Sequence, residues 1–244
     1  MRIIVVILFC FLSQTCSFAG VKPFISGGLG HTLYLCQNGN VFSAGDNEDG
    51  QLGRGILGNT ESVFEKVLII DNIEQVDAGK GNSSLALRKD STVWSWGQNT
   101  SGQLGNTEYC NAMSTNNDCD FSIIPIQVEA GETGGQYLKN VVQVAGGITH
   151  SYALLSTGEV VAWGDNYYGQ LGNGTNNNAL TPRFVKLSNG TKLKSIIYIA
   201  SGVSFGFAIS ADGTVWAWGK NTDSELGVGD IVNHYYPVKV VDAN

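Results

Sequence analysis

Three histidines are the side chains best suited to act as a general base or to bind a metal near neutral pH: His31, His150 and His234. The first two occupy one position of a repeated pattern, in which Ser83 and Phe205 take the same place in the other copies. Phenylalanine cannot replace imidazole as a base or as a ligand. We therefore interpret His31 and His150 as packing residues, each hydrogen-bonded to a neighbouring turn. His234 lies in a predicted loop, and no partner for it is evident in the sequence.

Two short runs resemble ion-binding or phosphate-binding loops, but their spacing does not fit. In the acidic run 46–50, Gly45 stands where a calcium loop needs its first ligand, and no glutamate closes the loop. The glycine-rich run 27–30 has neither a following helix nor a Lys-Ser/Thr pair. No Gly-x-Ser-x-Gly motif, typical of one class of nucleophilic serine, is present. The sequence predicts a protein without catalytic residues, metal or cofactor.

A pattern that recurs four times accounts for most of these residues. Its anchor is a glycine that ends a strand, at Gly45, Gly97, Gly164 and Gly219. The residue before the anchor is Ala44, Trp96, Trp163 or Trp218, and an asparagine follows at Asn47, Asn99, Asn166 or Asn221. Each copy ends in a Leu-Gly pair, beginning at Leu52, Leu104, Leu171 or Leu226. Repeats of this length are typical of arrays and propellers.

One repeat contains the signals of a short β-meander. In the copy 145–172, a β-prone run 150–155 is followed by a turn containing Gly158 and a second apolar run 160–164. A further strand of the type Pro-x-x-Val follows in most copies, as at Pro182. No segment has a helical period. Four such strands form a sheet that cannot bury both faces alone, so we predict an all-β propeller in which successive sheets pack face to face.

The repeat resembles that of the regulator of chromosome condensation family. The clearest copy is 150–172, with the sequence HSYALLSTGEVVAWGDNYYGQLG. The resemblance covers nearly all of residues 20–244, with repeats at about 25–75, 76–143, 144–198 and 199–244. It implies a seven-bladed β-propeller, whereas this chain has four repeats. Three explanations stay open: a piece of a longer propeller, a ring completed by dimerisation, or a small ring or open arc of four blades.

The first residues have the features of a secretory signal. An apolar run 3–12 follows Arg2, and small residues precede a predicted cleavage site after Ala19. We expect a secreted or periplasmic protein that does not remain in the membrane. Because export permits disulfides, Cys110 and Cys119, which lie in the longest insertion between repeats, are predicted to form a bridge.

The charge of the chain excludes one class of partner. The formal net charge is −7, and no basic cluster is present. Binding to a phosphate backbone depends on clustered lysine and arginine, so a nucleic-acid partner is not expected.

The candidate partner-binding residues lie where the repeat pattern is interrupted. The insertion 107–136 contains acidic and aromatic residues, and two tyrosine pairs lie in predicted loops outside the repeated positions. Exposed aromatic residues are frequent anchors at interfaces. The candidates are Glu108, Tyr109, Asp118, Asp120, Phe121, Tyr167, Tyr168, Tyr235 and Tyr236. Packing over a sheet edge is the alternative for the tyrosines, and a surface insertion without function is the alternative for the loop.

These observations favour a non-catalytic propeller that binds a protein partner outside the cytoplasm through loops at its rim. The resemblance adds that a secreted bacterial inhibitor of β-lactamases is similar in architecture. It also implies an alternative, a guanine-nucleotide exchange factor for a Ran-like small GTPase, for example an effector that acts in a host. No exchange residue can be matched in this chain, and the identity of the partner is not visible in the sequence.

Overall fold

The computed structural model describes residues 21–107 and 120–241, which form four antiparallel sheets of four strands each. Every sheet is a meander in which strands adjacent in sequence pair with one another. The first two sheets contain β1 (Phe24–Gly27), β2 (His31–Leu35), β3 (Val41–Asn47), β4 (Gly58–Lys66), β5 (Ile73–Asp77), β6 (Ser83–Arg88), β7 (Val93–Gln98) and β8 (Phe121–Gln127). The third and fourth contain β9 (Val141–Gly146), β10 (His150–Leu155), β11 (Val160–Gly164), β12 (Ala179–Phe184), β13 (Ile196–Ser201), β14 (Phe205–Ser210), β15 (Val215–Gly219) and β16 (His234–Lys239). A short 3-10 helix, Gly131–Thr133, lies between β8 and β9.

The sheets stack in chain order as propeller blades. The first strand of each sheet contacts the first strand of the next, and one apolar core fills each of the three interfaces between successive sheets. Of the strand pairs with several contacting residues, none joins the first sheet to the fourth. The described residues therefore form an open arc of four blades, and the predicted all-β propeller of four repeats is confirmed.

Burial along the second strand of each sheet follows from its place in this arc. All six residues of β10 are buried, because sheets cover both faces of the third blade. In β2 burial alternates, and the buried residues His31, Leu33 and Leu35 face the second sheet. In β14 the alternation is reversed, and the residues that face away from the third sheet, such as Phe207, are only half-buried.

The repeated asparagine closes the loop after the third strand of each sheet. We call residues 47–53, 99–105, 166–172 and 221–227 the hooks. In each hook the asparagine Oδ1 accepts the backbone N–H of the leucine five residues later, at 3.1 Å in the first and 2.9–3.0 Å in the others. This bond folds the leucine back over the sheet, where all four hook leucines are buried. The asparagine is thus required by the backbone of the turn.

A repeated polar contact joins each of the first three hooks to the following sheet. The indole N–H of Trp96 donates to the carbonyl of Gln51 at 2.9 Å, and Trp163 and Trp218 do the same to Gln103 and Gln170. The same carbonyls accept a second bond from a hydroxyl group. At the first two interfaces it comes from Ser84 (3.0 Å) and Ser151 (2.9 Å), and at the third it comes from Tyr152. The tryptophan position therefore acts between blades.

The innermost strands are joined by two glutamines. Gln75 Nε2 donates to the Val144 carbonyl at 2.8 Å, and its Oε1 accepts the Val144 N–H at 3.0 Å. Gln143 makes the same pair of bonds with Ile199, at 2.8 and 2.9 Å. Each side chain thereby bridges two strands that do not pair through their backbones.

Replacing Gln143 by leucine is expected to lower the free energy of unfolding by about 1–3 kcal/mol, because it leaves both backbone groups of Ile199 without their partner. Urea denaturation followed by circular dichroism measures the change. Val142→Ala, at the exposed neighbouring residue of β9, is the control and should have little effect. Equal losses in the two variants would contradict a specific role for the glutamine.

None of the described residues belongs to a helix with the length and apolar character needed to cross a bilayer. The predicted signal segment, 1–19, lies outside the described residues.

Candidate functional site

The hooks of all four sheets lie on one edge of the arc. Because neighbouring strands run antiparallel, the third strand of each sheet ends where the second begins. Backbone bonds show this: Asp46 N–H donates to Gly30, Gln98 to Asn82, Asp165 to Thr149, and Lys220 to Ser204. We call this side the hook edge; it contains the four hooks and the turns before β2, β6, β10 and β14. Loops from all four blades are therefore presented together.

Two pairs of tyrosines predicted to bind a partner meet on this edge, between the third and fourth sheets. Tyr167 and Tyr168 stack edge to face, with ring centroids 4.9 Å apart. Tyr235 lies directly against Gly169, where an added Cβ would come within 2.7 Å of its ring. Tyr236 packs in the same way over Gly174. We call these four residues the tyrosine corner.

The tyrosine corner combines exposed and packed rings. Tyr167 is 69% exposed and Tyr235 is 39% exposed, so both present aromatic surface to solvent. Tyr168, which packs edge to face on Tyr167, and Tyr236, which packs over Gly174, are half-buried. An aromatic pair held on a packed base loses little conformational freedom when it binds a partner.

The prediction that Tyr235 and Tyr236 lie in a loop outside the repeated positions is wrong. Both residues belong to β16, and Tyr235 takes a repeated place against the preceding hook. Ile123 packs against Gly50, and Leu180 against Gly102, as Tyr235 does against Gly169. The sequence hides this correspondence because the segment between hook and fourth strand differs in length in each repeat.

The remaining candidates belong to the second sheet. Asp120 is exposed, and its carbonyl accepts the backbone N–H of Asn99. Phe121 is half-buried and begins β8 opposite Gln98. Both lie on the hook edge, but one blade away from the tyrosine corner. Glu108, Tyr109, Asp118 and the predicted Cys110–Cys119 bridge lie outside the described residues.

Thr107, at the start of this insertion, is held at a defined place. Its backbone N–H donates to Glu129 Oε1 at 2.7 Å, and its hydroxyl contacts the same carboxylate at 2.8 Å. The adjacent Asn106 donates through Nδ2 to the Gln127 carbonyl at 2.8 Å.

Acidic side chains belong to the same two blades as the tyrosine corner. Asp165 Oδ2 accepts the Gln170 amide at 2.6 Å, and Asp230 pairs with His234 at 3.1 Å. The Val232 backbone N–H, assisted by His234, holds the pKa of Asp230 below its usual range. In the fourth sheet Lys220 takes the place of Asp165, and Glu225 takes the place of Gln170. The direction of the hydrogen bond is therefore reversed, and Lys220 donates to Glu225 at 2.7 Å.

The described part of the hook edge is predominantly acidic. In the hooks, the turns before the second strands and the segments that flank the hooks, the carboxylates are Asp46, Glu48, Asp49, Asp120, Asp165, Asp223, Glu225 and Asp230, whereas the basic side chains are Lys80, Lys220 and the buried Arg54. Such an edge favours partners with a positive surface and raises their association rate at low salt.

The histidines lie in packing positions. His31 Nε2 is 2.9 Å from Ser84 Oγ, and His150 Nε2 is 3.1 Å from Ser201 Oγ. Both bonds run to strands of the next sheet rather than to the turns expected. His234 belongs to β16 and not to a loop. Within 21–107 and 120–241, no three His, Cys, Asp or Glu side chains converge as a metal site.

Comparison with known proteins gives the same repeats. The family model described as regulator of chromosome condensation (RCC1) repeat matches residues 90–154, 157–209 and 212–244. A second model with that description matches 24–51, 73–103, 141–170 and 196–225, one segment in each sheet.

The relatives found by sequence comparison are longer proteins than this chain. The chain is 31% identical over 216 residues to the human probable E3 ubiquitin-protein ligase HERC6, covering 85% of this chain and 19% of that protein. It is 30% identical to the Arabidopsis thaliana ultraviolet-B receptor UVR8, covering 88% of this chain and 45% of the receptor. The chain thus spans less than half the length of these relatives.

Solved structures share the fold. Human WBSCR16 superposes with a TM-score of 0.73 at 25% identity, covering 92% of this chain and 54% of that one. Yeast RCC1 (Prp20), in complex with Kap60, gives 0.73 at 22% identity, with 93% and 50% covered. The likeness to the yeast protein shows the fold alone.

Proposed function

Because this chain belongs to the regulator of chromosome condensation repeat family, we propose that it is a non-catalytic interaction propeller that acts outside the cytoplasm and binds a protein partner through its hook edge. The observation that carries the proposal is the tyrosine corner, where tyrosines of two neighbouring blades lie on the hook edge and two of them, Tyr167 and Tyr235, are exposed. The signal segment predicted over 1–19 supports the location.

The chemistry of the corner suits protein recognition. Tyrosine offers a large rigid contact area and a hydroxyl that can bond at the margin of an interface. Asp165 Oδ1 accepts the Tyr167 backbone N–H at 3.3 Å, and Asp230 pairs with His234, the residue before Tyr235. Arginine or lysine of a partner could therefore stack on an aromatic face and pair with a nearby carboxylate.

Replacing both Tyr167 and Tyr235 by serine is expected to weaken partner binding at least about tenfold, because anchors of this type carry much of the binding energy. The purified chain serves as bait for extracellular and envelope proteins, and titration with the captured protein measures affinity. The control is Tyr137→Ser, which removes a half-buried tyrosine from the opposite edge.

The outcomes separate the alternatives. A partner that binds wild type and the Tyr137 variant but not the double variant supports the proposal. A partner that binds the wild type, the Tyr137 variant and the double variant equally would contradict the proposal that the tyrosine corner is the binding site. Retention of a Ran-like GTPase, strongest without nucleotide, would favour an exchange factor instead.

A further inference from the structure

A cleft lies on the edge of the arc opposite the hook edge, at the margin of the core between the second and third sheets. It is lined by residues 133–136 of the connection after β8, by the start of β9, by the turn between β10 and β11, and by the buried side chains of Leu155 and Phe184. Its volume is about 430 Å³, within the range of about 300–1,000 Å³ that is usual for sites of small molecules. We call it the polar cleft.

A smaller side chain at this interface explains why the space is open. The register of the hairpins places Val161 where the neighbouring second and fourth sheets have Trp94 and Trp216. Those two tryptophans pack against the cores of the flanking interfaces. Valine has a much smaller volume than tryptophan, and Phe184, which pairs with Val161 from β12, takes only part of the room. The polar cleft is therefore a feature of one interface and not of every blade.

A positive charge is held at a fixed place in the polar cleft. Lys192 Nζ lies 3.4 Å from the centroid of the Phe184 ring and 3.3 Å from Glu159 Oε1. Lys194 Nζ is 3.9 Å from the same oxygen. Although burial opposes the shift, the Thr157 hydroxyl and Lys192 hold the pKa of Glu159 below its usual range. The carboxylate is thus ionised at neutral pH, and it offsets only one of the two lysine charges.

The polar cleft presents more hydrogen-bond donors than acceptors. Among the described residues that line it, Glu159 is the one carboxylate. Lys139 also lines it, is exposed, and forms no ion pair within the described residues. The backbone N–H groups of Gly134, Gly135 and Gln136 have no acceptor in that part of the chain. An excess of donors and of positive charge favours a ligand with anionic oxygens.

The remaining polar side chains of the cleft suit a ligand that also carries hydroxyl groups. They are the hydroxyls of Thr133 and Thr157 and the amides of Gln136 and Asn140, which both donate and accept hydrogen bonds. We propose that the polar cleft binds a sugar that carries a carboxylate or a phosphate group. The cleft and the tyrosine corner lie on opposite edges of the arc, so the proposal does not depend on the function proposed above.

The test is a titration of the protein at low salt, followed by nuclear magnetic resonance of its backbone amides. The ligands are glucuronate, glucose 6-phosphate, neutral glucose and inorganic phosphate. At least one of the two acidic sugars is expected to bind with a Kd of about 1 mM or less, and glucose and inorganic phosphate at least about tenfold more weakly. Whether glucuronate or glucose 6-phosphate binds more tightly identifies the anionic group that the cleft prefers.

Three variants locate the site. Lys139→Glu should weaken binding of the acidic sugar about tenfold or more, because it reverses a charge beside the anionic group. Lys192→Met removes the ammonium but keeps an apolar chain over the Phe184 ring, and should act in the same direction. Lys89→Glu is the matched control: it makes the same change of net charge at an exposed lysine of the turn between β6 and β7, outside the cleft. Thermal unfolding of each variant is compared with that of wild type.

Three results would overturn the proposal. The first is that neither acidic sugar binds more tightly than glucose. The second is that inorganic phosphate binds as tightly as the acidic sugars, which would mean that the cleft attracts any anion. The third is that Lys89→Glu weakens binding as much as Lys139→Glu, which would show that net charge, and not the polar cleft, is responsible.

Discussion

Replacing Trp163 by alanine is expected to lower the free energy of unfolding by about 3–5 kcal/mol, the usual loss for a fully buried tryptophan. Trp163 has no exposed surface and fills the core between the second and third sheets. The substitution would leave a cavity and remove a hydrogen bond to Gln103. Since a domain of this size is stable by about 5–15 kcal/mol, much of its stability would be lost.

Two further substitutions separate packing from hydrogen bonding. Trp163→Phe keeps much of the ring volume but loses the N–H, and should cost less than the alanine substitution. Trp94→Ala removes a half-buried tryptophan whose N–H bonds within its own hairpin, to Thr92 at 3.2 Å. Denaturant unfolding measures all three. If Trp94→Ala lowered the free energy of unfolding as much as Trp163→Ala, the conclusion that the tryptophan between blades is especially important for stability would be wrong.

Acidification from neutral pH is expected to destabilise the protein through its two buried histidines. Burial lowers the pKa of His31 to about 4, although the Asp46 carboxylate opposes the shift, and burial lowers the pKa of His150 to about 3. In the unfolded chain both titrate near pH 6.5. Below pH 6.5 the two histidines bind protons in the unfolded chain but not in the folded protein. The free energy of unfolding therefore decreases as the pH is lowered.

The size of the effect follows from the shift. Between pH 6.5 and about 4.5 each histidine should lower the free energy of unfolding by about 2–3 kcal/mol, and the two together by about 5 kcal/mol. Full stability is present above pH 6.5. The loss attributable to His31 ends near its folded pKa of about 4, and that of His150 near about 3. Urea unfolding at a series of pH values measures the slope.

The histidines can be tested directly. The double variant His31→Gln with His150→Gln keeps neutral hydrogen-bonding side chains, so its stability should vary much less over this range. His234→Gln is the control, because that ring is partly exposed and lies 3.1 Å from Asp230 Oδ1. A double variant with the full pH dependence of wild type would show that other groups are responsible.

The order of the strands and the identity of the family were readable from the sequence. Each repeat carries its own strand, turn and hook signals, and these are local: the asparagine of a hook bonds a backbone group only five residues away. A pattern enforced by local geometry recurs at constant spacing and can be recognised by aligning the repeats. The tryptophan before the anchor glycine was visible in the same way, as a repeated residue.

The contacts that join the blades were decided only in the tertiary structure. Gln75 bonds to a residue 69 positions away, and its partner contributes backbone groups that have no sequence signature. The tyrosine corner also joins residues that are far apart in sequence, because Tyr235 packs on Gly169, 66 positions earlier.

The ends of the arc show the same division. The sequence by itself determined that Ala44 replaces tryptophan in the first repeat and that the fourth repeat has a complete hook. Only the packing of one sheet on the next revealed that the tryptophan position of each later sheet contacts the hook of the sheet before it. The reason is physical: side-chain periodicity within a strand is set by the strand, whereas the partner of each face is set by which sheet is stacked upon it.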